Sequence, residues 1–84
     1  MSFRFTKHVS QKIFRIQRYG FPVNKTFIKQ TIQNPVRVEE RSDGTKIATS
    51  ILDEQHCLRV VYRTEDDIII IITCYPGRRK AYEV

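Results

Sequence analysis

Two runs decide the fold: His56-Cys57-Leu58-Arg59-Val60-Val61-Tyr62-Arg63 and Ile68-Ile69-Ile70-Ile71-Ile72-Thr73-Cys74-Tyr75, with Thr64-Glu65-Asp66-Asp67 between them. Both are rich in β-branched and aromatic residues, and the acidic link between them is short, so the segment predicts a β-hairpin. The second run is apolar at every position from Ile68 to Ile72, which is the pattern of a strand covered on both faces. The rest of the chain must supply those covers.

Upstream, Val36-Arg37-Val38-Glu39-Glu40 alternates like a half-buried strand, and Thr45 to Leu52 predicts the next. Ser42-Asp43-Gly44 joins them, Asp-Gly supplying the backbone freedom of a tight turn. Pro76-Gly77 is expected to stop the last strand, since proline cannot donate to a ladder. A basic tail, Arg78 to Val84, follows.

The first third is helical. Thr6 is placed as an N-cap, and Val9, Ile13 and Ile16 follow at helical spacing, with Phe14 read as widening their stripe. Gly20 is the expected left-handed residue past the helix end. Asn24 caps a second helix whose stripe is Phe27, Ile28 and Ile32, and Asn34-Pro35 ends it. Phe3-Arg4-Phe5 is a short edge strand or an arm. The expected domain, residues 1–84, is α+β: two N-terminal helices packed on one face of a roughly four-stranded antiparallel meander.

Hairpin parity assigns the faces. Pairing Arg63 with Ile68, Val61 with Ile70, Arg59 with Ile72 and Cys57 with Cys74 puts Leu58, Val60, Tyr62, Ile69, Ile71 and Thr73 on the other, more apolar side. The helices are expected there. The Arg59 and Arg63 face is half covered, functional, or an oligomer contact.

The 84 residues carry a net charge of +6, and the bases crowd the helical region and the tail. Such separation is compatible with a polyanion partner; the alternative is a silent basic surface. Two cysteines are too few for a disulfide framework and match no zinc spacing. No metal and no cofactor are expected. The chain opens without a secretory apolar region, and the isoleucine run is too short to span a bilayer, so a cytoplasmic protein without membrane attachment is expected.

Several short motifs also resemble a known group. They are Phe5-Thr6-Lys7-His8, Tyr19-Gly20-Phe21, Asn34-Pro35, Leu58-Arg59-Val60-Val61-Tyr62-Arg63 and Thr73-Cys74-Tyr75-Pro76-Gly77-Arg78-Arg79-Lys80-Ala81-Tyr82. Together they resemble the RelE/ParE/BrnT-type toxin superfamily. More closely, they resemble an uncharacterised small bacterial and archaeal domain family near it, within the barnase-, colicin- and RelE-like ribonuclease folds. The resemblance implies an mRNA endonuclease of a toxin–antitoxin system, or a degenerate relative. It also implies RNA or the ribosome and a small antitoxin as partners. By position it implies Lys46, Arg59, Arg78 or Arg79, and Tyr82 as site residues, with His8 taking the place of a missing second lysine on the inner strand.

The chemistry of metal-independent RNA cleavage asks for the same residue types. A histidine moves protons, arginines hold the phosphorane, and tyrosine stacks on a base. The candidate catalytic set is therefore His8, Lys46, Arg59, Arg78 and Tyr82, with Arg63, Arg79 and Lys80 binding RNA. Each has a plainer reading: His8 as a surface residue, Arg59 and Arg63 as partners of Glu39 or Glu40, Arg78-Arg79-Lys80 as a solvated tail. Two other functions stay open. One is a non-catalytic nucleic-acid-binding module; the other is a small homodimeric interaction domain with Val61, Ile70 and Ile72 as its seam.

Overall fold

The computed structural model describes residues 2–84. Its elements run β1 (Ser2–Phe5), α1 (Lys7–Arg18), α2 (Lys25–Gln33), β2 (Arg37–Glu40), β3 (Lys46–Ile51), β4 (His56–Glu65), β5 (Ile68–Arg78) and α3 (Arg79–Tyr82). The fold is α+β, with three helices and one mixed five-stranded sheet in the order β1-β5-β4-β3-β2.

The local signals act as expected. The Thr6 and Asn24 side chains accept from the backbone N–H groups of Val9 and Phe27, satisfying donors that a helix start leaves unpaired. Gly20 and Gly44 take positive φ values of 91° and 85°, which a side chain would oppose. Val9, Ile13 and Ile16 of α1 and Ile28 of α2 pack on Ala48, Leu58, Val60, Tyr62, Ile69, Ile71 and Cys74, forming the core between helices and sheet.

Four features depart from the sequence reading. First, Phe3-Arg4-Phe5 takes the edge-strand alternative, but as a fifth strand beside the meander: β1 pairs parallel to β5, Ser2 opposite Ile68 and Phe5 opposite Ile71, so the sheet is mixed and has five strands. Parallel pairing needs a long connection elsewhere in the chain, and no local signal in Phe3-Arg4-Phe5 announces its partner.

Second, the hairpin turns at Asp66-Asp67, with Asp66 at φ 53°, and Glu65 pairs with Ile68. Arg63 therefore faces Ile70, two residues further along than expected. A bulge then leaves Ile72 unpaired, since Tyr62 faces Ile71 but Val61 faces Thr73. Beyond it, Val60 faces Cys74, Arg59 faces Tyr75 and Cys57 faces Gly77. The extra residue resets parity in β5. Cys74, and not Thr73, joins the helix-covered core, and the two free cysteines lie on opposite faces of the sheet.

Third, β5 does not stop at Pro76 but runs to Arg78. β1 pairs only as far as Ile71, so the later part of β5 is an edge, where proline is tolerated. Fourth, the tail is not a loose basic segment. It folds back as α3, and Tyr82 lands on the face away from the helices. That face is buried at Ile47, Thr49, Cys57, Arg59, Val61 and Ile70. Val61 and Ile70, expected as part of a dimer seam, are enclosed within the single chain. No helix among the described residues is long and apolar enough to cross a membrane.

Candidate nucleic-acid interface

Charge is divided along the chain. Eight of the fifteen Lys and Arg residues, and none of the nine acids, precede Glu39, so the first 38 residues carry +8 and the remaining 46 carry −2. The fold keeps that division. Among the described residues every ion pair lies within residues 37–65, as in Arg41–Asp43, Lys46–Glu40 and Arg63–Glu65. The cations of α1 and α2 are left without acidic partners.

α1 sets out those cations in a pattern. Val9, Ile13 and Ile16 point into the core, so the opposite face carries Lys7, Gln11, Phe14 and Arg18, spaced to stack along one line of an α-helix. Phe14 does not widen the buried stripe: it is 65% exposed. One residue past Ile13 at 3.6 residues per turn, it is carried round the helix away from Val9 and Ile16. It sits in a shallow depression of about 650 Å³ with Lys7, Ser10, Gln11, Arg15 and Arg18. Arg15, Arg18 and Tyr19 line a further hollow at the end of the helix. Tyr19 is 79% exposed. Two aromatic rings are thus held in water among unpaired cations. On α2, the Lys25 ammonium lies 5.2 Å from the centre of the Phe5 ring and that of Lys29 lies 5.5 Å from Phe3, which holds two more cations at the surface over β1.

The residues expected to form a catalytic centre are distributed differently. Arg59 and Tyr82 do meet, on the face away from the helices, with 3.8 Å between the guanidinium carbon and the ring centre. Arg59 is only 4% exposed. Its Nε donates to the Tyr75 hydroxyl at 3.0 Å, and its Nη1 lies 2.8 Å from Glu39 Oε2, a close ion pair although the N–H is not aligned for a hydrogen bond. Burial opposes the charge, but the Tyr75 hydroxyl and Glu39 outweigh it and push the Arg59 pKa up. Arg37 Nη1 donates to the Tyr82 carbonyl at 2.7 Å, tying the tail to the sheet.

Lys46 and Arg78 fall on the other side. Lys46 is registered opposite Tyr62, whose ring belongs to the helix-covered core, and its ammonium pairs with Glu40 at 3.7 Å. Arg78 is opposite His56, on the same face as Leu58, and is exposed. His8 is exposed and its Nε2 lies 3.2 Å from the Thr73 hydroxyl. None of the other four expected catalytic residues is among its hydrogen-bond partners. Arg63 pairs with Glu65 at 3.0 Å. Arg79 is a clamp: its Nε donates to the Val84 carbonyl, and its Nη1 reaches the Asp53 and Glu54 carbonyls. Lys80 is exposed on α3.

Among the described residues no group of three or more His, Cys, Asp and Glu is gathered in a way that could hold a metal ion. No family model, no curated protein and no solved structure matches the chain.

Phe14 and Tyr19 were missed from sequence as surface aromatics. For Phe14 the signal was there, in its angular distance from the Val9–Ile13–Ile16 stripe. For Tyr19 there was none beyond its place before Gly20.

Proposed function

We propose that this protein is RNA-directed in the sense of the toxin-like reading but acts by binding: it holds single-stranded RNA along the outer face of α1. The observation that carries the reading is the line Lys7, Gln11, Phe14 and Arg18, with Arg15 and Tyr19 beside it, on a half of the chain that contains no acid. Unpaired cations attract a phosphate backbone by releasing its counterions. Exposed aromatics beside them stack on bases, and only a strand with unpaired bases offers such faces. A duplex would engage the cations and leave Phe14 and Tyr19 unused.

Cleavage of the RNA has less support. A proton-transfer pair and a phosphate-holding arginine must converge on one phosphate. Arg59 is committed to Glu39, Tyr75 and Tyr82, and Lys46 and Arg78 belong to the opposite face. Two free, buried thiols fit a reducing compartment such as the cytoplasm.

The test is fluorescence anisotropy with a labelled twelve-nucleotide single-stranded RNA, followed by a gel of the same RNA. With about four phosphate contacts, affinity falls roughly 50-fold between 50 and 200 mM salt. The triple variant Lys7→Glu, Arg15→Glu, Arg18→Glu loses binding while keeping its circular dichroism spectrum, and the RNA stays whole. Binding that survives this charge reversal overturns the reading. Cleavage abolished by His8→Ala restores the nuclease alternative.

A further inference from the structure

The basic face of α1 runs into a second feature at the helix end. Tyr19, Phe21, His56, Pro76, Gly77 and Arg78 line an open cleft of about 460 Å³, within the volume range of small-molecule sites. Its walls come from three elements that meet at one end of the sheet: the close of α1 with its connector, the first residue of β4, and the last turn-bound residues of β5. Tyr19 is shared with the hollow that Arg15 and Arg18 line, so the cleft continues the cationic surface of α1.

The cleft is built, not incidental. Phe21 packs against the core and stands edge-on to His56, ring centres 5.1 Å apart at 64°. His56 is fixed in turn by Asp53, whose carboxylate accepts from the His56 backbone N–H at 2.7 Å and from ring Nδ1 at 2.9 Å. A carboxylate can only accept, so Nδ1 carries the proton and Nε2 is the ring's other polar position. The Gln55 backbone N–H, with His56 assisting, holds the Asp53 carboxyl below its ordinary range, so this acid is already engaged. Arg78 stands directly opposite His56 in the β4–β5 register and is exposed.

We propose that this cleft takes one unstacked nucleobase of the bound strand, with Tyr19 and Phe21 as aromatic walls, His56 at the base edge and Arg78 on the adjoining phosphate. This rests on the RNA-binding reading of α1 and names what its far end recognises. The charge argues for a nucleotide over a neutral apolar ligand. Arg78 lines the cleft and Arg18 lines the hollow that shares Tyr19 with it, while Asp53 and Glu54 line a separate hollow beside His56, where Asp53 is already committed to that ring. A base lifted from the strand needs aromatic faces and a few edge hydrogen bonds. The cleft offers both at the point where the cationic track ends.

The experiment is an NMR titration of the ¹⁵N-labelled full chain with uridine and adenosine 5′-monophosphates, against ribose 5-phosphate and inorganic phosphate. Saturable shifts at the amides of Tyr19, His56 and Gly77 with the mononucleotides alone are expected. Equal shifts with ribose 5-phosphate, or none with any probe, overturn the cleft as a base site. In the RNA anisotropy assay Tyr19→Ala weakens binding about tenfold, the scale of one lost base stack, and Tyr19→Phe restores most of it. Because Tyr19 is exposed at the helix end, its loss does not threaten the fold. RNA that binds His56→Ala and Arg78→Ala as tightly as the parent overturns the cleft and leaves the α1 reading standing. Mononucleotide shifts without any strand binding uphold the cleft and overturn α1 as the interface.

Discussion

The guanidinium carbon of Arg59 lies over the Tyr82 ring, 3.8 Å from its centre. An arginine from the middle of the sheet is thereby closed off by the chain's own last turn, a stacking that pairs charge with the negative face of the ring. Glu39 and Tyr75 complete the surround. This cluster holds the tail down and fills the face that the helices leave bare.

Arg59→Ala removes the positive partner of a half-buried carboxylate and the floor beneath Tyr82. Glu39 keeps some contact with water and with Arg37 at 3.6 Å, which moderates the cost. A loss of about 2 kcal/mol is expected, below the full penalty for an orphaned buried charge. Urea denaturation measures it. Affinity for single-stranded RNA stays within twofold, and a larger drop would mean that Arg59 reaches the ligand.

Gly77 is a glycine because of Tyr82. A Cβ there would stand 2.7 Å from Tyr82 Cε2, with the ring already resting on Arg59. Gly77→Ala should lower stability by about 1–2 kcal/mol. In a Tyr82→Ala background the same change should cost almost nothing. A double-mutant cycle by urea unfolding checks this, and additive effects would mean that the ring does not occupy that space.

Phe14 contributes surface, not core. Phe14→Ala is expected to alter stability by no more than about 0.5 kcal/mol, as for other exposed positions, since alanine also suits a helix. The affinity for single-stranded RNA should fall about tenfold, with little change for duplex RNA. Unfolding curves and anisotropy on the same preparation separate the two. A marked fall in thermal stability would return Phe14 to the core.

Alkaline pH should weaken the fold through Cys74. Burial raises this thiol from an ordinary 9.0 to about 11. Below about pH 9 the folded and unfolded chains both keep the proton, and stability is whole. Between 9 and 11 the unfolded chain releases it first, and stability falls by about 1.4 kcal/mol per pH unit. Burial raises the Cys57 thiol in the same direction. Urea midpoints at pH 8, 9 and 10 should therefore drop more steeply for the parent than for Cys74→Val. Parallel slopes would show that the thiol is not shielded.

Much of this molecule is carried by short-range pattern. Thr6, Asn24, Gly20 and Gly44 each act within a few residues of themselves, and the caps and turns follow from side-chain oxygens and positive φ. The helix-covered face, with Leu58, Val60, Tyr62, Ile69 and Ile71, follows from the two-residue period of strands. The outward line of α1 is equally present in its 3.6-residue period, which carries Phe14 to the face opposite Val9, Ile13 and Ile16.

Pairing was not legible in the same way. Five consecutive isoleucines are interchangeable as apolar surface, so nothing local tells Ile70 from Ile72 as the partner of a given β4 residue. The bulge at Ile72 settles that choice, with Thr6 bonded to the Ile71 and Ile72 carbonyls beside it. The bulge then separates Cys57 from Cys74.

The amino-acid sequence by itself determined α1 and α2 with their caps, the strands β2, β3 and β4, the turn at Gly44, the face the helices cover and the acid-free basic half, because each depends on neighbours within a turn or two. Tertiary structure alone decided the parallel docking of β1, the register of β5, the burial of Arg59 under Tyr82 and the meeting of Tyr19, His56 and Arg78 around one cleft. Those depend on which distant segments bury the most surface together, and that comparison is made only when the whole chain closes.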